Sequence, residues 1–459
     1  MTEGKSRLPE SRDDAADVVV VGAGGSGVAA AWEAANAGAS VLIIEKTSSG
    51  GGSSILSGGN FAMAGTRLQQ EKGIKDSVEL FRKDMHQYTG VWARPEEIKA
   101  HAQGSHDAFE WLVGLGAHIT EVGWYAEHSV PRSHKIKSGE VYSLVRRGAL
   151  AKGARLLTET RAQELVRDAT GRVVGVRVSR KGETVNIGAK KAVVLATGGF
   201  SHDKEMLLNH YGPGLENFVI AASETHTGEG TRMALAVGAD TTRMAMVGRW
   251  GTPKHPVSKR AVVAIQYGAI VVNAAGKRFD DESEDVHYFP VRVQAQQPRA
   301  LGWQVYDRRI AGVYEGGQPH KYALEASTIN ELAAQMNVPP EALAATIDKY
   351  NRDIAAEGFD TVFGRKNLEK GPPARGELIP IDTPPFYAIE TYPSLTETQG
   401  GIKIDYRAQV IDVFGRAIPG LYAAGELAQP VLTGGGMFLG GAYIFGRIAG
   451  RNAAAENPD

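Results

Sequence analysis

The chain has 459 residues, 42% of them hydrophobic and 22% charged, with a formal net charge of −1 and no cysteine. That length accommodates two or three domains with ample core, and the composition is ordinary for a soluble enzyme. The near-zero charge offers no broad basic face to nucleic acid, and the missing cysteines exclude disulfides, cysteine-ligated iron–sulfur clusters, CxxCH haem attachment and a CxxC redox pair.

Residues 1–16 read as a loose polar tail with no signal-peptide core, and no apolar run nears the about 18 residues of a membrane span, so no membrane span and a cytoplasmic location are expected. Residues 18–21 form a β-branched run that reads as a buried strand. Gly22, Gly24 and Gly27 follow at G-x-G-x-x-G spacing, and an alanine-rich helix is predicted over 28–37. Gly38 stops it, and residues 40–44 predict a second strand ending in Glu45. Glycines at this turn let a pyrophosphate approach the backbone where the helix N-terminus presents free N–H groups. Glu45 stands where an acid accepts ribose hydroxyls. Strand, glycines, helix, strand and acid in this order predict a dinucleotide site, for FAD or NAD(P).

The segment KTSSGGGSSILSGGNF then carries two glycine clusters joined by serines. It reads as a packed loop whose N–H groups and hydroxyls meet phosphate and the isoalloxazine edge. Residues 76–117 are mostly helical in pattern, with a start at Pro95 and an apolar face of Phe109, Trp111 and Leu112. Residues 118–146 look irregular, either a cover over a site or surface structure. Residues 147–200 predict a β-meander running into a core strand that ends at Thr197-Gly198-Gly199. Residues 227–230 (TGEG) precede a helix, residues 244–380 change texture, and a helix start is expected at Pro339-Pro340. Prolines over 372–385 suggest a hinge. A strand over 421–423 leads to Gly425-Glu426, and a glycine-rich turn enters a helix over 442–449, a second N-terminus able to face a flavin. No second G-x-G-x-x-G follows a strand, so a separate NAD(P)H domain is not expected.

The ordered set VVVVGAGGSG, EKTSSGGGSS, LSGG, VVLATGGF, HTGEGTRMALAVGA, GAIVVNAAGKRFDDES, QGGIKID, GLYAAGE and FGRIAGR resembles the flavoprotein family of fumarate reductases, succinate dehydrogenases, 3-ketosteroid dehydrogenases and tricarballylate-type dehydrogenases. The likeness spans nearly the whole chain. It implies an α/β fold: a Rossmann-like FAD-binding domain with a β-meander over 17–243 and 381–459, and an inserted α+β capping domain over 244–380, with the substrate between them. It implies noncovalent FAD, since the histidine that carries covalent flavin in the respiratory enzymes has no counterpart. The expected cofactor contacts are Gly22, Gly24, Gly25, Ser26, Gly27, Glu45, Lys46, Gly51, Gly52, Ser53, Ser54, Ser57, Gly58, Gly59, Ala162, Thr197, Gly198, Gly199, Gly425, Glu426, Gly440 and Gly441. The reaction implied adds or removes hydrogen across a C–C bond beside a carbonyl.

The departures from the fumarate reductase pattern carry the substrate reading. Trp250-Gly251 stands where those enzymes have His-Pro, and Ala264-Ile265-Gln266 where they have an arginine. Residues 285–288 (DVHY) stand in place of their proton-delivering arginine, Glu397 falls within their HTMGG motif, and Phe438 replaces their terminal substrate-clamping arginine. A dicarboxylate needs cationic, preferably bidentate partners. Losing several together argues against fumarate or succinate. The pocket expected instead is aromatic and apolar: Trp250, Tyr267, Tyr288, Met437 and Phe438, with Gly436 beside it and Arg249 as a holder for a carboxylate tail. That resembles the ketosteroid dehydrogenase branch, although Thr433 stands nearest the tyrosine of the steroid enzymes. A 3-ketosteroid and a smaller oxocyclohexane such as 4-oxocyclohexanecarboxylate both remain open. The implied chemistry is α-proton removal by His287 or Tyr288, hydride transfer from the β-carbon to flavin, and carbonyl polarisation by Tyr267 or backbone N–H groups. A diffusible electron acceptor or O₂ would complete the cycle. The reverse reaction, enone or enoate reduction, uses the same fold.

Overall fold

The computed structural model describes residues 15–90, 93–124, 128–212, 214–215, 218–252, 262–283, 289–296, 301–314, 317–369, 376–429 and 434–457. Two compact units emerge from the chain contacts. The first takes the chain to Tyr211, then Ala222–Met246, then Thr398 onward; the second takes Gly212–Ala221 and Val247–Glu397.

In the first unit, the β-branched run becomes strand β1 (Ala15–Val21), followed by helix α1 (Gly25–Asn36) and strand β2 (Val41–Ile44). Helices α2 (Val78–Thr89) and α3 (Pro95–Gly114) follow, with Pro95 at the first turn of α3 as its fixed φ favours. Helix α4 (Ser138–Ala151) then leads into strands β3 (Arg155–Leu157), β4 (Thr160–Arg167), β5 (Val173–Arg180) and β6 (Glu183–Leu195). Helix α5 (Glu229–Ala236), strands β7 (Gln409–Ile411) and β8 (Ala417–Ala423), and helix α6 (Met437–Ala455) complete it. The sheet runs β7-β8-β6-β1-β2-β3. Strands β8, β6, β1, β2 and β3 pair in parallel, and Val18 to Val21 sit opposite Val41 to Ile44 without slippage. Parallel strands covered on both faces must be apolar, and Val18 to Val21 of β1 and all of β2 are apolar and buried. Strand β6 is long because its first half pairs antiparallel with β5, the meander, and its second half pairs parallel with β1. The fold class is α/β.

Two readings change. Helix α4 occupies residues assigned above to an irregular segment and to the start of the meander. Its buried Val141, Tyr142, Val145 and Ala149 have helical spacing that Gly139 and Gly148 mask; Gly148 lies where a Cβ would crowd the Trp32 ring. The last helix begins at Met437, five residues before the predicted start, so Gly440 and Gly441 lie inside it.

The second unit has an antiparallel core of its own. Strand Phe386–Thr398 pairs with Gly302–Asp307, which pairs with Ile270–Val272, and helix Pro340–Glu357 begins at the predicted prolines. Leu343, Ile347 and Tyr350 of that helix are buried in this core. The long strand groups residues up to Glu397 with this unit. Among the described residues, no helix is long and apolar enough to cross a membrane.

Candidate cofactor-binding and active site

The dinucleotide turn is built by close approach. A Cβ on Gly22, whose φ is +106°, would overlap the Ala196 carbonyl, and one on Gly27 would overlap the Gly22 carbonyl. Helix α1 can therefore start directly against the β1 and β6 strand ends. Gly24 and Gly52 face open space instead, with Gly51 O at 4.0 Å and Gly24 Cα at 3.9 Å the nearest atoms to their Cβ positions. This is the cradle a pyrophosphate requires. The serine-rich loop is folded onto it: Gly51 N donates to Ala23 O at 2.9 Å, and Gly25 N donates to Ser54 Oγ at 3.1 Å. Ser57 Oγ accepts from Gly59 N at 3.3 Å, while Gly58 has nothing within 4 Å of its Cβ position.

Glu45 is buried at the end of β2. Its Oε2 accepts from Ala23 N, and its Oε1 accepts from Thr47 N and Oγ1, each at 2.8 Å. A carboxylate has about four acceptor positions. Three hold the turn here, which fixes the carboxylate and leaves capacity for a ribose hydroxyl. Lys46 is ion-paired with Glu229 at 3.0 Å and donates to Thr227 Oγ1 at 2.7 Å. Ala162 is buried within β4 opposite Val178.

Sequence reasoning named the Gly198, Gly199 and Glu426 motifs but missed what joins them. Glu426 Oε1 accepts from Thr398 N and Oγ1, both at 3.0 Å, and its Oε2 lies 3.2 Å from His226 Nδ1. His226 Nε2 is 3.4 Å from Ser53 Oγ. Gly198 and Gly199 have no Cβ because His226, Thr398 and Glu426 occupy that space. His226 thus stands between the half-buried Ser53 of the serine loop and Glu426, whose carboxylate binds Thr398, where the turns after β6 and β8 come together. Gly425 packs on Ser26 in the same way. His226 stood in the quoted HTGEG segment, and its position directly before TG-x-G was the available signal.

Several buried polar atoms lack a protein partner: Thr197 Oγ1, both amide atoms of the Gln429 side chain, and Tyr443 Oη. Buried polar groups are normally hydrogen-bonded, so these await something. Gln429 lies against Gly441 near the start of α6, and Thr197 follows just after β6. An isoalloxazine, with its carbonyl and N–H edge, has the chemistry these atoms lack, and the residues fit FAD.

The other substrate-site residues divide by unit. In the first, Phe438 is half-buried in the first turn of α6, Gly436 is the N-cap, and Met437 is buried with Phe81 and Met85. In the second, the Glu397 carboxylate lies over Gly248, where a side chain would collide with it, next to Arg249 in the sequence. Tyr267 is not on a strand. It ends a 3-10 turn (Ala264–Tyr267), with its ring edge-to-face on Tyr314 at 5.2 Å, so it packs against that unit's core. His287, Tyr288, Thr433 and the Trp250 side chain lie outside the described residues.

Comparisons with known proteins bear on the family and the cofactor. A family described as FAD binding domain matches residues 17–442. A urocanate reductase from Eggerthella lenta is 32% identical, covering 98% of this chain and 76% of that protein. A 4-oxocyclohexanecarboxylate 2-dehydrogenase from Sinomonas cyclohexanicum is 31% identical, over 70% of this chain and 61% of that protein. The open conformation of a flavocytochrome c3 fumarate reductase superposes with a TM-score of 0.84 at 30% identity, covering 97% of this chain and 79% of that one. A 3-ketosteroid-Δ4-(5α)-dehydrogenase from Rhodococcus jostii, in complex with 4-androstene-3,17-dione, gives 0.76 at 29% identity, covering 98% and 99%.

Proposed function

The chain belongs to the FAD-binding family of the fumarate reductases and is an FAD-dependent oxidoreductase, and on that premise we propose that it desaturates a cyclic ketone, introducing a C=C bond α,β to the carbonyl. The observation that carries this reading is the chemistry at two positions. Glu397 falls where fumarate reductases have the HTMGG motif, and half-buried Phe438 where they have a clamping arginine. Neither position then offers a dicarboxylate the cationic, bidentate partner it needs. A neutral ring ketone needs no such partner. The likenesses to the oxocyclohexane and ketosteroid dehydrogenases support the same class.

In this reading His287 or Tyr288 removes the α-proton, and Tyr267 or N–H groups at the start of α6 stabilise the enolate-like charge on the carbonyl oxygen. Bound FAD supplies the acceptor for the hydride that leaves the β-carbon. The electrons then pass to a diffusible acceptor or to O₂. The Glu426 carboxylate, held by Thr398 and lying beside His226, braces the turns around the cofactor site. A second reading, reduction of an enone or enoate, is favoured by the urocanate reductase likeness over 98% of the chain.

Both readings meet one experiment: anaerobic absorbance of the flavin on adding a 3-ketosteroid, 4-oxocyclohexanecarboxylate, cyclohexanone and succinate. Bleaching by a cyclic ketone is expected, and succinate should do nothing. Replacing His287 and Tyr288 together with Phe should then slow bleaching at least about 100-fold. Bleaching by succinate would overturn the reading of Glu397 and Phe438. Reoxidation of chemically reduced enzyme by urocanate or an enone, with no ketone effective, would establish the reductase.

A further inference from the structure

Behind the start of α6 lies a buried charge cluster that the reaction does not use. Arg132 is fully buried, and its Nε and Nη2 grip Asp76 at 2.9 and 2.7 Å. Its Nη1 donates to Asp84 Oδ2 at 2.8 Å, and the guanidinium lies 4.5 Å from the centre of the Phe81 ring. Asp84 also accepts from Ser129 N and Oγ. The same Nη1 is 3.1 Å from Nδ1 of buried His128, whose Nε2 is 2.8 Å from the Gly435 carbonyl.

The proton positions follow from the partners. A guanidinium can only donate, so Nδ1 facing it accepts. Nε2 therefore carries the hydrogen and donates to Gly435 O. Burial, with Arg132 adding to it, pushes the imidazole down to about 4, which keeps it in this neutral tautomer at working pH. Gly435 and Gly436 both have left-handed backbones, with φ of +56° and +83°, and they feed straight into α6. The Gly436 carbonyl is held from the other side by Ala62 N at 3.2 Å. The turn that aims the first N–H groups of α6 thus has two tethers, and one of them is a side chain.

We propose that His128, locked by Arg132, is a positioning residue for the cofactor: it fixes the Gly435 carbonyl and so aims the N-terminal turn of α6 at bound FAD. Nothing in it depends on His128 touching the cofactor. It rests on the FAD-site reading above and not on the choice of substrate. A parent protein that binds FAD but bleaches with no ketone would retire the substrate reading and leave this one standing.

The test compares holoenzymes carrying His128→Leu and His128→Gln. Leucine packs against the Phe81 ring but can neither accept from Arg132 nor donate to Gly435; glutamine places an N–H donor at about the same reach. His128→Leu is expected to weaken FAD binding about tenfold, the worth of one buried hydrogen bond, and to make the flavin harder to reduce because the helix dipole is no longer aimed. His128→Gln should restore both to within about threefold. A purely structural role would lower thermal stability in both variants and leave the flavin potential unmoved. An unchanged potential and FAD affinity in His128→Leu, or a glutamine variant as impaired as the leucine one, would overturn the proposal. Should His128→Leu not fold, Asp84→Asn slackens the grip on Arg132 while leaving the imidazole in place. It should weaken FAD binding by a smaller factor, and an unchanged affinity there would overturn the proposal equally.

Discussion

At the residue scale the site is defined as much by missing side chains as by present ones. Gly27 and Gly58 show two kinds of absence. A Cβ on Gly27 would overlap the Gly22 carbonyl, which is backbone and cannot swing away, so the α1 start and the strand end must separate. A Cβ on Gly58 meets nothing within 4 Å. Gly27→Ala is therefore expected to cost several kcal/mol, on the order of an overpacked core, and to abolish flavin retention. Gly58→Ala should leave the unfolding of the flavin-free protein within about 0.5 kcal/mol of the parent and yet weaken FAD binding, if that open space belongs to the cofactor. Thermal unfolding with and without FAD, beside the flavin absorbance, separates the two. A Gly27→Ala protein that keeps its flavin would mean that the turn relaxes more easily than its packing suggests. The glycine pattern was legible because the constraint is local: strand, turn and helix adjoin in the chain. His226 and Gln429 were not, because their meaning lies in partners that only the fold brings together. Glu426, 200 residues beyond His226, and Gly441 across the site give those two side chains their roles.

At the element scale, α2, α3 and the segment after them enclose three histidines that burial keeps neutral. His101 is pushed down to about 3 by burial, with His128 adding to it; burial also pushes His128 and His134 down to about 4. His134 and His128 have hydrogen-bond partners, whereas neither ring nitrogen of His101 does, between Phe81 and Phe445. The sign of the pH effect follows from the direction of these shifts. Unfolded histidine takes a proton near pH 6.5 and the folded ones refuse it until about pH 3 to 4, so the unfolded state binds more protons in between. Stability is at its plateau above about pH 6.5 and falls with pH below it, by roughly 2 kcal/mol per histidine at pH 5. His101→Phe removes one of these terms along with two unpaired nitrogens. Urea unfolding should find this variant gaining about 2 kcal/mol on the parent between pH 8 and pH 5. A gain independent of pH would mean that the imidazole titrates alike in the folded and unfolded states. The helical period of α3 was visible in the sequence, but its inward histidine was not, since a histidine on an apolar face has no signature of its own. Helix α4 was hidden for the opposite reason: Gly139 and Gly148 weaken helix propensity, and Gly148 is there because a Cβ would crowd Trp32 of α1. Tyr267 adjoins the apolar run of Ile270–Val272 and reads as part of that strand, but it ends a 3-10 turn that Gly268, with φ of +118°, separates from the strand.

At the scale of the whole molecule, the cofactor and the first unit form one thermodynamic system. The sheet order and the packing of α6 on α1 bring strand ends from both halves of the chain to a single cradle, where Gly446 and Gly450 lie against the Ser26 and Ala30 carbonyls. That cradle holds buried atoms of Thr197, Gln429 and Tyr443 without protein partners. Each such group costs on the order of 1–3 kcal/mol when left unpaired. A ligand that supplies the missing partners binds the folded state and not the unfolded one, so it must stabilise the fold by mass action. The expected size is about 2.7 kcal/mol at a free FAD concentration one hundred times Kd, growing by about 1.4 kcal/mol for each further tenfold. Removing FAD should thus lower the unfolding temperature, and titrating it back should raise that temperature in proportion to the logarithm of its concentration. Because Gln429 and Thr197 make the isoalloxazine end of the reading, FAD should restore more stability than ADP, which fills only the Gly22 to Glu45 part of the cradle. Equal stabilisation by the two would mean that the unpaired atoms are satisfied by water and that the flavin ring lies elsewhere. Unequal stabilisation, together with loss of the difference in Gln429→Leu, would place the ring against the start of α6, where the two glycine-rich turns meet.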